Sequence, residues 1–278
     1  RAKLQSKFMI VVSIVRLFVN VSFNIYFVVF LQMNVAGIVW GNLITQFLMF
    51  IASPLLLSNS MVWKISINKL KEMLLFGWPI IPSSIAGWIL SSADRYFIEH
   101  FSTTSELGLY SLGFQISSVL TVVILQPFRT VWPAIFYPKS KEQDAPNVFG
   151  KFFTYFLLIT SVFGLCLIAG AEPMIQLLGP KEYWHAHVVV PILVFCLILG
   201  DTGVQSIITI GLYLQKKTKY VPIIVAIGAL INIVLNWLLV PRYGMMGAAV
   251  ATLVCSILMT LMCYLLNTIF YPIKLEMK

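Results

Sequence analysis

Apolar stretches of roughly 20 residues or more recur along the whole chain: 8–31, 37–58, 75–98, 107–135, 150–171, 187–213, 219–240 and 245–270. As helices rising about 1.5 Å per residue, such runs match a hydrocarbon core about 30 Å thick. No water reaches that core, so each spanning backbone has to satisfy its own N–H and C=O groups, as a helix does. The expected fold class is all-α, a polytopic transmembrane bundle of eight spans. Composition points the same way, with 59% apolar and 10% charged residues, where a soluble domain of this size carries roughly a quarter charged.

The net charge of +9 raises the possibility of a nucleic-acid partner, but the cations form no patch and are not interleaved with exposed aromatics. They sit in alternate loops instead. Arg1, Lys3 and Lys7 precede the first span, and Lys64, Lys69 and Lys71 follow the second. Lys139, Lys141 and Lys151 flank the fourth loop, Lys216, Lys217 and Lys219 the sixth, and Lys274 and Lys278 close the chain. Short basic loops stay on the cytoplasmic side, so both ends are expected there. The chain begins at Arg1 and not Met, which suggests a piece of a longer protein. Residues 1–30 start basic and turn apolar like a signal peptide, but Arg16 interrupts the run and no small-residue cleavage site follows.

No soluble domain is inserted; the longest loops are 59–74, 136–149 and 172–186. The last is amphipathic and is expected at the outer interface, with Tyr183 and Trp184 at headgroup level. Thr103 and Glu106 have capping-box spacing at the start of the fourth span. The four cysteines all lie inside spans with no metal-ligand spacing, and read as packing residues.

Polar residues inside the spans carry the functional signal. Ser13, Arg16, Asn20 and Asn24 share one helical face; for the neutral three, interhelical hydrogen bonding is the simpler reading, whereas Arg16 at depth points to a wet cavity. On the third span Ser84, Gly87, Ser91 and Asp94 share a face, with Gly87 and Ser91 read as packing. Asp94 and Arg95 lie toward the outer end, where a structural ion pair weighs as much as a gate or headgroup contact. The fourth span places Ser111, Gln115, Ser118, Gln126 and Arg129 along one side, Arg129 at depth. Asp201 stands mid-span above Gln205 and Thr209 at intervals of four, where a carboxyl is protonated, paired or a coupling site. Gly228, Asn232 and Asn236 read as a packing seam. No GxSxG, P-loop or HExxH occurs, so neither catalysis nor a cofactor is expected, and any work comes from an ion, the membrane potential or the substrate's own gradient.

The stretches GWPIIPSSIAGWILSSADRYFIEHF, ELGLYSLGFQISSVL and NIVLNWLLVPRYGMMGAAVATLVCS resemble the polysaccharide transporters, the O-antigen and capsule flippases of the multidrug, oligosaccharidyl-lipid and polysaccharide exporter superfamily. The resemblance covers most of 75–270. It implies a twelve-helix fold in two lobes, of which 1–58 is the end of the first, 59–74 a cytoplasmic linker and 75–278 the second. It implies a bacterial or archaeal cytoplasmic membrane and a cargo of undecaprenyl-pyrophosphate-linked oligosaccharide. Membrane lipid, a polysaccharide polymerase and chain-length machinery are the implied partners. The family has no fixed motif to carry across, so it is by position in the spans that Arg16, Arg129, Arg95 and Gln115 are candidate substrate contacts, the cations matching an anionic headgroup, and Asp201 and Asp94 ion-coupling candidates. A multidrug or lipid II exporter is the alternative within the superfamily. An integral glycan polymerase or ligase would call for a larger outer loop, and a scaffold without transport leaves the deep charges unused.

Overall fold

The computed structural model describes residues 6–56, 66–67, 70–71, 73–74, 80–140, 142, 144–200, 203–215 and 217–270. It divides into two compact units, Arg1–Leu70 and Lys71–Lys278. Most of the 59–74 linker and the first residues of the third expected span lie outside the described residues.

The first unit is a helical hairpin. Helix α1 (Ser6–Ile25) continues through a π turn, Tyr26–Phe30, and α2 (Asn34–Leu56) runs back beside it. Asn20 Nδ2 donates to Asn42 Oδ1 at 2.8 Å, and Asn24 Nδ2 to Asn20 Oδ1 at 3.0 Å. The close approach needs Gly41, where a Cβ would lie 2.5 Å from Asn24 Oδ1. The asparagines of the polar stripe thus join two helices, while Arg16 is exposed.

The second unit comprises α3 (Ile80–Phe101), α4 (Thr104–Leu120), a π turn (Thr121–Leu125), α5 (Gln126–Lys139) and α6 (Ala145–Leu178). A 3₁₀ segment, Lys181–Val189, covers the amphipathic loop expected at the interface, and α7 (Val190–Leu199), α8 (Val204–Ile208), α9 (Ile210–Leu214) and α10 (Tyr220–Phe270) complete it. At 51 residues α10 would be about 77 Å long if straight, more than twice the core thickness. It is folded in two at Gly244, whose φ of 51° and ψ of −133° break the helix three residues after Pro241. Cys255 Sγ donates to the Gly228 carbonyl at 2.8 Å and Asn232 Nδ2 to Thr252 Oγ1 at 3.2 Å, so the limbs 220–243 and 245–270 lie antiparallel.

Among the described residues, six helices are long and apolar enough to cross a membrane. Counting α10 as its two limbs and adding α3, which is 22 residues long but carries Asp94, Arg95 and Glu99, gives the number of crossings expected. The sixth differs from expectation. It is broken between Leu199 and Val204 and again at Thr209, near two glycines that give a helix little support. The exposed Leu199 carbonyl is met by Thr260 Oγ1 at 2.8 Å, as a break at membrane depth requires.

The third span also differs. A Cβ at Gly87 would meet nothing within 4 Å, and Ser91 is exposed with its hydroxyl on the Trp88 carbonyl. The tight packing expected of those two is absent: Gly87 lies on nearly the same face as the buried Asp94 but two turns nearer the start of the helix, where no neighbour comes within reach of it. The main core lies between α4 and α7. Trp132 is its aromatic centre, 5.0 Å from Phe128 and 5.2 Å from Phe152 by ring centroids.

Candidate functional site

Asp94 stands two turns before the end of α3 and is 5% exposed. A carboxylate taken out of water needs its lone pairs met, and here donors converge from three directions. Tyr110 Oη, on α4, donates to Oδ2 at 2.5 Å. Thr252 Oγ1, on the second limb of α10, donates to the same oxygen at 2.7 Å. From the first limb Asn236 Nδ2 donates to Oδ1 at 2.9 Å, and Asn232 Nδ2 approaches it at 3.4 Å. The asparagines are joined to each other, Asn236 Nδ2 lying 3.0 Å from the Asn232 carbonyl.

Local sequence explains the convergence. Asn232 and Asn236 are four apart and share a face of the first limb. Gly244 turns the chain so that Thr252 comes back opposite Asn232. Buried Ala248, Ala249 and Ala251 leave room for the second limb to approach. Tyr110 is itself 2% exposed. The result is a carboxylate whose surroundings are neutral hydrogen-bond donors and oxygen atoms in a low-dielectric interior, where each contact is worth more than in water.

Arg95 takes another partner. Neighbouring helical residues project about 100° apart, and the guanidinium lies 4.8 Å from the Phe114 ring centroid in a cation–π contact. Gln115, next along α4, is exposed, and so is Arg129 on α5. The π turn between them inserts about one residue into the helical repeat, so Gln126 and Arg129 are turned roughly 100° from the single stripe read for a straight helix. Asp201 lies outside the described residues. Its expected companions Gln205 and Thr209 are buried, Gln205 Nε2 donating to Cys263 Sγ at 3.2 Å and Thr209 Oγ1 to the Gln205 carbonyl at 2.9 Å.

The structure therefore gathers Tyr110, Asn232, Asn236 and Thr252 around Asp94. Of these five residues the sequence points only to Asp94 as a site, and it gives the asparagines as a packing seam. The available signal was two carboxamides one turn apart inside an apolar span, a pattern that asks for a polar partner on a facing helix. The seam reading does hold for Gly228, whose face receives Met259 and Cys255. Among the described residues no group of three His, Cys, Asp or Glu is placed to hold a metal.

Residues 1–189 match the model of a family described as polysaccharide biosynthesis protein. A probable low-salt glycan biosynthesis flippase of Haloferax volcanii, Agl15, is 26% identical over 181 residues, 62% of this chain and 36% of the relative. The capsular polysaccharide biosynthesis protein CapF of Staphylococcus aureus is 25% identical over 194 residues, 66% of this chain and 46% of the relative. The match thus spans less than half the length of either curated relative. No solved structure matches the chain.

Proposed function

The chain belongs to the polysaccharide biosynthesis protein family, and from that premise we propose that it forms part of a flippase moving a lipid-linked oligosaccharide between membrane leaflets by alternating access. One relative is named as a probable flippase and another as a capsular polysaccharide biosynthesis protein, which supports this reading for the matched stretch. The observation that carries the mechanism is the buried Asp94 with its converging donors. In this reading Asp94 is the coupling carboxylate. A proton or alkali cation arriving there changes the charge that Tyr110, Thr252 and Asn236 answer to, and so favours one arrangement of α3, α4 and α10 over another. Arg16, Arg95 and Arg129, with Gln115, serve the pyrophosphate and glycan, since a guanidinium offers an anionic phosphate paired donors. Asp201 remains a second coupling candidate.

Export of cationic drugs fits less well. Such a cargo needs an accessible carboxylate, and Asp94 is closed in on both oxygens. The test is complementation of a strain lacking its oligosaccharide flippase, scored by surface glycan. The protein is expected to restore display, and Asp94→Asn to lower it at least about tenfold at equal membrane level, the loss of one buried charge-assisted site. Undiminished display in Asp94→Asn removes it from coupling; drug resistance without glycan display overturns the cargo.

A further inference from the structure

Glu106, one turn before Tyr110 on α4, satisfies only half of its capping box. Its N–H donates to Thr103 Oγ1 at 3.2 Å, the expected forward bond. Its carboxylate goes elsewhere. Oε2 accepts from Ser102 Oγ at 2.7 Å and from the Met245 N–H at 2.9 Å, a residue 139 positions further on. Met245 opens the second limb of α10, where the first N–H groups have no acceptor within the helix and carry partial positive charge. One carboxylate thus caps a helix that is not its own. The turn is shaped around it: Gly244 has φ 51°, and a Cβ there would overlap Glu106 Oε2.

The register gives this contact its meaning. Glu106 and Tyr110 are four apart on α4 and lie on one face. Met245 and Thr252 are seven apart on the second limb, two turns or about 10 Å, and also share a face. Tyr110 and Thr252 are the two hydroxyls on Asp94 Oδ2. Fastening Met245 to Glu106 therefore fixes α4 and the second limb in the register that brings both hydroxyls to one oxygen. Slipping the limb by one residue turns Thr252 about 100° away.

We propose that Glu106 is a positioning residue for the Asp94 site, setting through its bond to the Met245 N–H the cation affinity of a carboxylate that it does not touch. This rests on Asp94 being the coupling carboxylate. The test uses the purified protein in liposomes and a fluorescent, membrane-soluble carbodiimide that modifies buried carboxyls. The reagent takes the carboxyl proton as the oxygen adds to it, so Na⁺ titrated at fixed pH protects by displacing that proton, whereas pH titrated without Na⁺ reads proton occupancy as a gain of labelling, and the two cations are told apart.

Glu106→Gln keeps an oxygen for the Met245 N–H and is expected within about threefold of wild type, whereas Glu106→Ala and Gly244→Ala should need about tenfold more Na⁺ for half protection, or about tenfold more proton for half labelling, the loss of one charge-assisted bond. Glu99→Gln, which removes an exposed charge from the same end of α3, is expected to change nothing. Wild-type protection in Glu106→Ala, or equal loss in the Gln and Ala variants, overturns the proposal. Should Glu106→Ala fail to insert, Ser102→Ala replaces it, with about a threefold shift expected and no shift overturning. If Asp94→Asn labels like wild type, or labelling answers to neither Na⁺ nor pH, the coupling reading itself fails and the role of Glu106 falls with it.

Discussion

At the level of single residues, the protein holds a carboxylate at depth by means of neutral donors. Two hydroxyls and two carboxamides reach Asp94, while its neighbour Arg95 lies over the Phe114 ring. An arginine partner would lock the charge in a pair that is strong but hard to exchange. Hydroxyls and amides can reorient, so a cation can displace them without leaving a buried charge unanswered. The arrangement sets an order of stabilities. Asp94→Ala leaves several buried hydrogens without an acceptor, at about 1–3 kcal/mol for each. Tyr110→Phe removes one donor and leaves the carboxylate its others, so about 1.5–3 kcal/mol in total is expected. Thermal unfolding in detergent should therefore rank wild type above Tyr110→Phe, and that variant above Asp94→Ala. A Tyr110→Phe melting point at or below that of Asp94→Ala would mean that the hydroxyl, not the carboxylate, organises the cluster.

At the level of elements, regularity is broken where polar groups have to be aimed. The π turn Thr121–Leu125 precedes Pro127, which has no N–H to give, and re-aims α5 after α4. The gap between α7 and α8 frees a carbonyl that Thr260 covers. The fold in α10 brings Thr252 back beside Asn232. Glycines along that hairpin are not equivalent. A Cβ at Gly228 would run into the Met259 thioether, a flexible end that can move, whereas one at Gly247 would lie 2.5 Å from the Leu239 carbonyl oxygen and 2.7 Å from its carbon. Backbone at a turn cannot withdraw. Gly228→Ala should be near neutral, its helix-propensity gain of about 1 kcal/mol offsetting the displaced methionine. Gly247→Ala should cost about 1–3 kcal/mol by overpacking, and because it parts the limbs above Thr252 it should also weaken cation protection of Asp94. Equal melting points for the two variants would show that the limbs give way more easily than their packing implies.

For the molecule as a whole, the membrane made the spans legible and left their rotations hidden. Apolar length alone decides that a segment crosses as a helix, because lipid offers backbone groups nothing, and so 107–135 or 245–270 could be read within a few residues. Which face meets which helix depends on contacts far apart in sequence, Asp94 with Asn236 or Glu106 with Met245, and periodicity carries no trace of that pairing. The break after Leu199 and the π turn were hidden for a related reason: both are local departures from α-geometry inside stretches whose composition stays apolar. Charge placement adds an expected topology, with a consequence for mechanism. If the lysine-bearing loops face the cytoplasm, then Ser102, Thr103 and Glu106, and with them the Asp94 end of α3, belong to the outer half of the bundle. A coupling cation then reaches Asp94 from outside and moves inward down its gradient, the direction that can drive cargo outward. Single cysteines placed at Thr103 and Glu182 should react with a membrane-impermeant maleimide in intact cells. Those placed at Glu142 and Lys217 should react only after permeabilisation, and the buried Cys196, Cys255 and Cys263 should stay silent in both. The reverse pattern would put the carboxylate on the cytoplasmic side, and the gradient would then oppose the export proposed.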